Sequence, residues 1–557
     1  MAQSDERSQQ REQTPIDRVA EKFLAASADL NPELRVYLGT EGSKSEYTDL
    51  SPAGVEAGRS LIADTKQALE KEQPADDIDW VTKTALLREL QLEEEVLDSN
   101  WHQRELNILE SAAQRTREIF DLMPSTTEGD WDAIAKRLHN LPAALDGWRE
   151  TLRSGIRDGN TPARRQVEVV LEQLRQFEPG KGRFHELIAD AAVPDSLTAD
   201  LESGAAAATQ AQIELAGFLS VELLPAAREE DAVGRDIYQL MSRRFLGASV
   251  DLDETYEWGI EELRRMTEEQ ERVANEIKPG ASVAEAIAHL DQDTSRKLHG
   301  TDALQRWMQE TSDRAIVELG RTHFDIAEPI TALECMIAPS QTGAIYYTPP
   351  ADDFSRAGRM WWSVPEGVTE FDTWRELTTV YHEGVPGHHL QLAQAVYNKD
   401  QLNSWRRVAG TSGHAEGWAL YAERLMESLG YLDDPADRLG MLDGQRMRAA
   451  RVVLDIGVHL GKPRLDGTGS WDFDYAFEFM KSNVNMNEPF VRFEVNRYFG
   501  WPGQAPSYKI GQRIFEQIRA EAEQREGDDF DLKRFHMKVL NIGGVGLDTL
   551  RAAVARG

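Results

Sequence analysis

From Pro15 to about Phe324, apolar residues return every three or four positions between charges, a period that only helices satisfy. The stretch VTKTALLRELQLEEEVLDSNWHQRELNILESAAQRTREIF, residues 81–120, is representative. The Ala-rich run after Gly204 fits a closely packed helix better than a linker. Ser282 and Glu285, in PGASVAEAIAHL, have capping-box spacing after a Pro-Gly break. No repeat at solenoid spacing is visible. Between about 328 and 365 the texture changes. ITALECMIA, GAIYYTP and GRMWWSV are short, aromatic or β-branched pieces separated by Pro, Gly, Asp and Ser, and they predict two or three strands. Helices resume at Thr373, with loops at KPRLDGTGSWD and YFGWPGQAPSY. The expected fold class is mainly α, with one small β-sheet near residues 328–365.

Charge and cysteine content narrow the function classes. The 557 residues include 62 Lys and Arg against 96 Asp and Glu, a formal charge of −34. Such a surface repels phosphate backbones and anionic lipid, so neither nucleic acid nor a membrane surface is an expected partner. A hydrophobic fraction of 41% still supplies a sizeable core. The single cysteine, Cys335, excludes an intrachain disulfide and a Cys-based zinc site. The first residues, MAQSDERSQQREQTPIDR, lack the apolar core of a secretory signal, and residues 1 to about 14 read as a disordered tail. No apolar run approaches the roughly 18 residues of a membrane span. These features predict a cytoplasmic protein.

Tyr381–Gln391, Y-H-E-G-V-P-G-H-H-L-Q, carries the densest chemistry, with three of the chain's 12 histidines in eight residues and a glutamate after the first. A His-Glu pair followed by another His on a helix is the pattern of zinc hydrolases: imidazoles hold the metal and the Glu activates water. Here the spacing is stretched. On an unbroken helix His388 lies about 600° round from His382, and His389 shares its face but sits about 10 Å along the axis. Pro386 cannot donate to residue 382 and Gly387 follows, so the helix must distort. An outward loop would bring His388 back beside His382. Which of His388 and His389 is the second ligand stays open at this level, and the rival reading is a histidine-rich helix end.

Downstream, Gly410–Glu423 reads G-T-S-G-H-A-E-G-W-A-L-Y-A-E, with Thr411, Ser412 and Gly413 as a helix start and Glu416 in or near the first turn. Glu416 is the expected third ligand from a neighbouring helix, Glu423 its competitor, and His414 a cap or supporting residue. A third helix, QRMRAARVVLDIGVH, places Arg451, Asp455 and His459 at four-residue steps on one face, with Arg448 close by. Amid Val, Leu and Ile, that stripe needs partners. In a cleft, Arg451 would hold a substrate carboxylate, with Asp455 beside it, and His459 would donate to a developing oxyanion. The loop Asn496–Gly511 offers Gln504 and Tyr508, the latter as a neutral oxyanion donor. Tyr347 lies on the strand GAIYYTP, which would align a peptide by strand addition. His185-Glu186 lacks a second His and is incidental.

YHEGVPGHHLQ, EGWALYAE, RAARVVLDIGVH and RYFGWPGQAPSYKIG together resemble the bacterial domain-of-unknown-function family 885, most clearly over about residues 330–515. Its members resemble zinc metallopeptidases and are distantly similar to the helical thimet-oligopeptidase and Taq-carboxypeptidase group. The resemblance implies a large two-lobed helical architecture around a central cleft, with residues 15–327 as a helical lobe and 328–557 as an intertwined catalytic lobe. It implies one Zn2+ per chain on His382, His388 and Glu416, with Glu383 as general base. The departure from H-E-x-x-H loosens what is inherited about substrate. The leading expectation is a zinc-dependent peptidase, a carboxypeptidase or oligopeptidase, of short peptides or peptide-like molecules. Its rivals are a metal-dependent hydrolase or lyase of a non-peptide amide or ester, and a non-catalytic metal- or ligand-binding helical protein.

Overall fold

The computed structural model describes residues 10–339 and 345–556. Helices dominate, as the three- and four-residue period requires. Two long ones, α1 (Glu128–Asp158) and α2 (Asp195–Phe218), pair along the Ala-rich run. Ala205, Ala208 and Ala211 are buried, and Gly204 lies so close to α1 that a Cβ there would come within 2.9 Å of the Leu138 Cβ. The capping box read at Ser282 and Glu285 is formed. Among the described residues no helix is long and apolar enough to cross a membrane.

The remaining elements that position the site are α3 (Leu252–Ile277), β1 (Lys297–His299), β2 (Leu333–Ile337), β3 (Ile345–Thr348), β4 (Gly358–Trp362), β5 (Glu370–Asp372) and α4 (Thr373–Glu383). After them come α5 (His388–Tyr397), α6 (Ser412–Ser428), α7 (Pro435–His459), α8 (Glu488–Gly500) and α9 (Ser507–Glu526). The expected small sheet is present in the order β2-β4-β3. β2 runs parallel to β4, with Leu333 opposite Gly358, and β3 runs antiparallel to it, with Ile345 opposite Trp362. Within the piece GAIYYTP, Gly343 and Ala344 lie outside the described residues. A second sheet, β1 against β5, was not expected; each strand has three residues, too few for a local pattern to show. β5 runs directly into α4 and so fixes where the histidine-bearing helix begins.

Two expected boundaries shift. Residues 1–9 lie outside the described residues, but the rest of the expected tail is anchored. Arg11 reaches Asp17, Asp76 and Asp79, each at 2.6 Å, and Thr14 caps the following helix. Two of those three carboxylates are more than sixty residues away, out of reach of a compositional reading. The apolar cores also divide elsewhere than at 327/328. One cluster gathers residues between 36 and 227 around α1 and α2; the other joins 16–90 to 238–554. A helix buries its apolar stripe wherever a complementary one lies, so the N-terminal helices complete the core of the C-terminal half.

Three close helix approaches set the frame of the site. A Cβ on Gly259 of α3 would meet Val452 of α7 at 2.8 Å, and one on Gly440 of α7 would lie 2.0 Å from the Trp374 carbonyl oxygen on α4. Where α6 crosses α9, a Cβ on Gly417 would lie 2.5 Å from the Gly511 carbonyl carbon. Backbone cannot yield as a flexible side chain does, so Gly417→Ala is expected to cost about 1–3 kcal/mol by overpacking. Gly58→Ala, in a helix where an added Cβ meets nothing within 4 Å, is expected to gain about 0.5–1 kcal/mol. Thermal or denaturant unfolding of the two variants checks the opposite signs.

Candidate metal centre

α4 stops at Glu383 and α5 starts at His388, so the stretched motif is two helices around a four-residue break rather than one bulged helix. Pro386 offers no N–H, and the Val385–Pro386 peptide is cis. The Gly387 N–H donates to the Tyr381 carbonyl (3.1 Å) and the His389 N–H to the Gly384 carbonyl (3.1 Å), folding the break back on α4. The fold is so tight that a Cβ on Gly387 would stand 1.9 Å from the His382 carbonyl oxygen. From α6, the Trp418 indole donates to the Pro386 carbonyl at 2.9 Å and holds the break in place.

This geometry returns His388 to His382: their rings are 4.8 Å apart at 87°. Glu416 Oε2 lies 3.3 Å from His382 Nε2 and 3.7 Å from His388 Nε2. One donor atom from each of the three residues falls within 4.8 Å of the other two. Bonds of about 2.0–2.1 Å to a tetrahedral ion set neighbouring donors roughly 3.3–3.4 Å apart, which the His382–Glu416 pair matches at 3.3 Å and the His388–Glu416 pair exceeds at 3.7 Å. Glu416 Oε2 is buried with no hydrogen-bond partner, the condition of an atom that a cation would satisfy. The donor set can therefore hold a metal ion. Glu416 is the fifth residue of α6, just past the first turn and so near it, as expected.

His389, the alternative second ligand, is engaged at both nitrogens. Nε2–H donates to the Ile330 carbonyl (2.7 Å) and Nδ1 accepts from the Tyr347 hydroxyl (2.9 Å). Tyr347, expected to touch substrate, instead ties edge strand β3 to α5. Gly358 of β4 makes this possible, since a Cβ there would lie 2.1 Å from the Tyr347 oxygen. Glu423, the competing third ligand, lies behind His382: its Oε1 meets Nδ1 at 2.8 Å and so turns Nε2 toward Glu416. The support continues inward. Gln445 donates to Glu423 Oε2 (3.0 Å), Lys509 donates to Gln445 (2.6 Å), and Lys509 pairs with Glu262 (2.9 Å). Sequence reading missed Gln445 and Lys509, which no local motif marks. Thr411, not His414, caps the start of α6 by accepting from the His414 N–H; the His414 ring accepts from Gln391 and so acts as a supporting residue.

The electrostatics favour a cation. Burial alone would lower the His382 pKa, yet Glu416 and Glu423 raise it to about 10. Burial would raise Glu416, but His382 and His388 hold it well below the usual carboxylate range. Glu383, buried beside them, is pushed up by burial against the pull of His388 and His382, and its Oε2 has no partner.

The α7 stripe is partnered, and three expectations for it are corrected. Arg451 donates to Glu494 of α8 (2.7 Å) and to the Tyr498 hydroxyl (2.6 Å), so its charge is already matched and does not clamp a carboxylate. Asp455 accepts from Tyr238 (2.7 Å) and the Gly503 N–H (2.9 Å), away from any ligand role. His459 Nε2–H donates to the Tyr498 carbonyl (2.9 Å), leaving no proton for an oxyanion, and burial lowers its pKa to about 4. Gln504 is corrected too. Its Oε1 accepts from Arg497 (2.5 Å), and it lines a separate cavity of about 850 Å3 bordered by Ser412, Trp405 and Trp501. Tyr508 is half-buried with its ring beneath the Arg451 guanidinium (5.3 Å), and burial first and Glu416 next raise the pKa of its phenol.

Two outcomes are expected. His388→Ala and Glu416→Ala should lose stoichiometric metal by elemental analysis, while His389→Ala retains it; Glu423→Gln should weaken binding by about 10–100-fold. Asp455, raised to about 7 chiefly by burial, gives a pH signature. From about pH 4 to 7 the unfolded chain releases a proton that the folded chain keeps, so wild-type stability falls as pH rises, by up to about 1.4 kcal/mol per unit. Asp455→Asn removes this dependence, so unfolding at about pH 5 and 8 should show the variant gaining on wild type at the higher pH.

The fold matches known structures as follows. A "putative lipoprotein" from Colwellia psychrerythraea has a TM-score of 0.82 at 22% identity, covering 97% of this chain and 98% of that one. A "putative lipoprotein of unknown function" from Shewanella oneidensis has a TM-score of 0.74 at 17% identity, covering 97% and 99%. At these identities the likeness establishes the fold alone. A carboxypeptidase from Pyrococcus furiosus aligns over 98% of this chain and 99% of that one, but with a TM-score of 0.40 and 10% identity it carries no argument. No curated protein matches. The family model described as bacterial protein of unknown function, DUF885, matches residues 32–554, and the chain belongs to that family.

Proposed function

We propose that the protein is a zinc-dependent peptidase acting on short peptides. The observation that carries this reading is the unpartnered, buried carboxylate oxygen of Glu383 next to the convergent His382, His388 and Glu416. Two imidazoles and one carboxylate favour zinc over harder divalent ions. Bound there, zinc supplies Lewis acidity, polarising a carbonyl and lowering the pKa of water.

The protein's own groups do the rest. Glu383 takes a proton from the attacking water and returns it to the nitrogen of the leaving amine, and its raised pKa suits both transfers. Tyr508 supports the developing oxyanion as a neutral donor, the role that His459 cannot fill. β3 is an edge strand, paired on one side to β4, so a peptide can add along its other side. A peptide's extended backbone suits that edge better than an ester or a compact metabolite does.

Glu383→Gln should keep zinc at wild-type stoichiometry while kcat falls by about 10²–10⁴-fold. Tyr508→Phe should lower kcat by about 10²-fold with KM little changed. A short-peptide panel with elemental analysis of each variant is the measurement. Wild-type turnover in Glu383→Gln, or hydrolysis of simple esters but no peptide, would overturn the reading.

A further inference from the structure

Three arginines of α7 and α8 crowd the side of the cleft that faces Tyr508, and two are matched. Arg451 and Arg497 share the carboxylate of Glu494, at 2.7 and 3.0 Å. Arg448, one turn before Arg451, differs in making no hydrogen bond or ion pair at all among the described residues; its Nε is buried without a partner, as is that of Arg497. Its head lies back along α7 over Gly444, where a Cβ would come within 2.5 Å of Nη1. The space that cradles the guanidinium thus exists because residue 444 has no side chain. Arg448 is half-buried on α7, the helix that meets α4 at Gly440 and sets Arg451 over the Tyr508 ring at 5.3 Å, and its charge acts on Glu423, Glu383 and Tyr508.

A half-buried guanidinium with five donors and no acceptor calls for a planar anion. The Arg448 charge reaches Glu423 and Glu383, but neither carboxylate forms an ion pair with it. We infer that Arg448 binds the free α-carboxylate of the substrate, so that the enzyme acts on peptides or N-acyl amino acids at their C-terminal residue. This rests on the peptidase reading of the centre and names its substrate class. It moves the clamp expected of Arg451 one turn along the same helix, from an arginine with an internal partner to one without.

The test measures binding and turnover separately. Calorimetric titration of metal-loaded and chelator-treated protein with an N-acetyl amino acid and with its amide reads recognition without catalysis. Wild type should bind the acid at least about tenfold more tightly than the amide in both forms. Arg448→Met should abolish that preference while leaving amide binding and zinc content unchanged. Arg448→Lys, which keeps the charge but not the fork, should retain part of it and decides the question if the methionine variant does not fold. An acid preference that survives in Arg448→Met, or one that vanishes with the metal in wild type, would overturn the assignment. An intact Arg448-dependent preference with no hydrolysis of any peptide would instead sink the peptidase reading and leave the carboxylate site standing.

Discussion

The break between Gly384 and Gly387 is the constraint on which the site depends. Without it His382 and His388 belong to different faces of one helix and share nothing. With it they stand ring to ring over a common carboxylate. Pro386 removes the N–H that would continue the ladder, Gly387 tolerates a backbone approach that any Cβ would block, and Trp418 fastens the Pro386 carbonyl from the next helix. The same helix, α6, supplies Glu416 two residues before that tryptophan and Glu423 five after it. One rigid element thus provides the third ligand, the clasp on the break and the carboxylate that orients the first histidine.

Burying so many carboxylates is costly unless each is answered. Glu423 is met by His382 and Gln445, and the chain of donors ends in Lys509 against Glu262. Glu494 is met by two arginines and a tyrosine. At the cleft one oxygen of Glu416, one of Glu383 and the Nε of Arg448 stay unanswered. Buried atoms without a partner occur elsewhere too, Asp455 Oδ2 and the Gln212 amide among them; what sets the cleft apart is that unsatisfied groups of opposite charge gather beside two histidines there.

The helical class, the sheet near 328–365 and the candidate metal trio His382, His388 and Glu416 leave local marks in the sequence: a period, a change in residue texture, a histidine-rich break with a glutamate helix downstream; the choice between His388 and His389 leaves none. Arg451, Asp455 and His459 share a helix face, and that much was legible too. Their partners were not. Glu494, Tyr498, Tyr238 and Gly503 lie between 39 and 217 residues away, and nothing in the chain's local pattern announces them. Helical spacing tells which side chains look the same way; it does not tell what they look at. Gly358 makes the same point, since its value lies in letting Tyr347 reach His389 across the sheet.

The scaffold divides the cleft unequally. On the helical side, ligand, base and arginine rest on elements locked by backbone-to-backbone approaches at Gly417 and Gly440, so their relative placement cannot drift by even a methyl group. On the other side, the three-stranded sheet presents β3 as a short edge, paired to β4 alone and tied to α5 through the Tyr347–His389 contact. Chemistry that needs fixed distances falls to the first side, and alignment of an extended backbone, which tolerates sliding by a residue pair, falls to the second. On the proposed peptidase reading, a mutation that loosens β3 should act on which bond is presented, whereas one that separates α6 from α4 should act on whether any bond is cut.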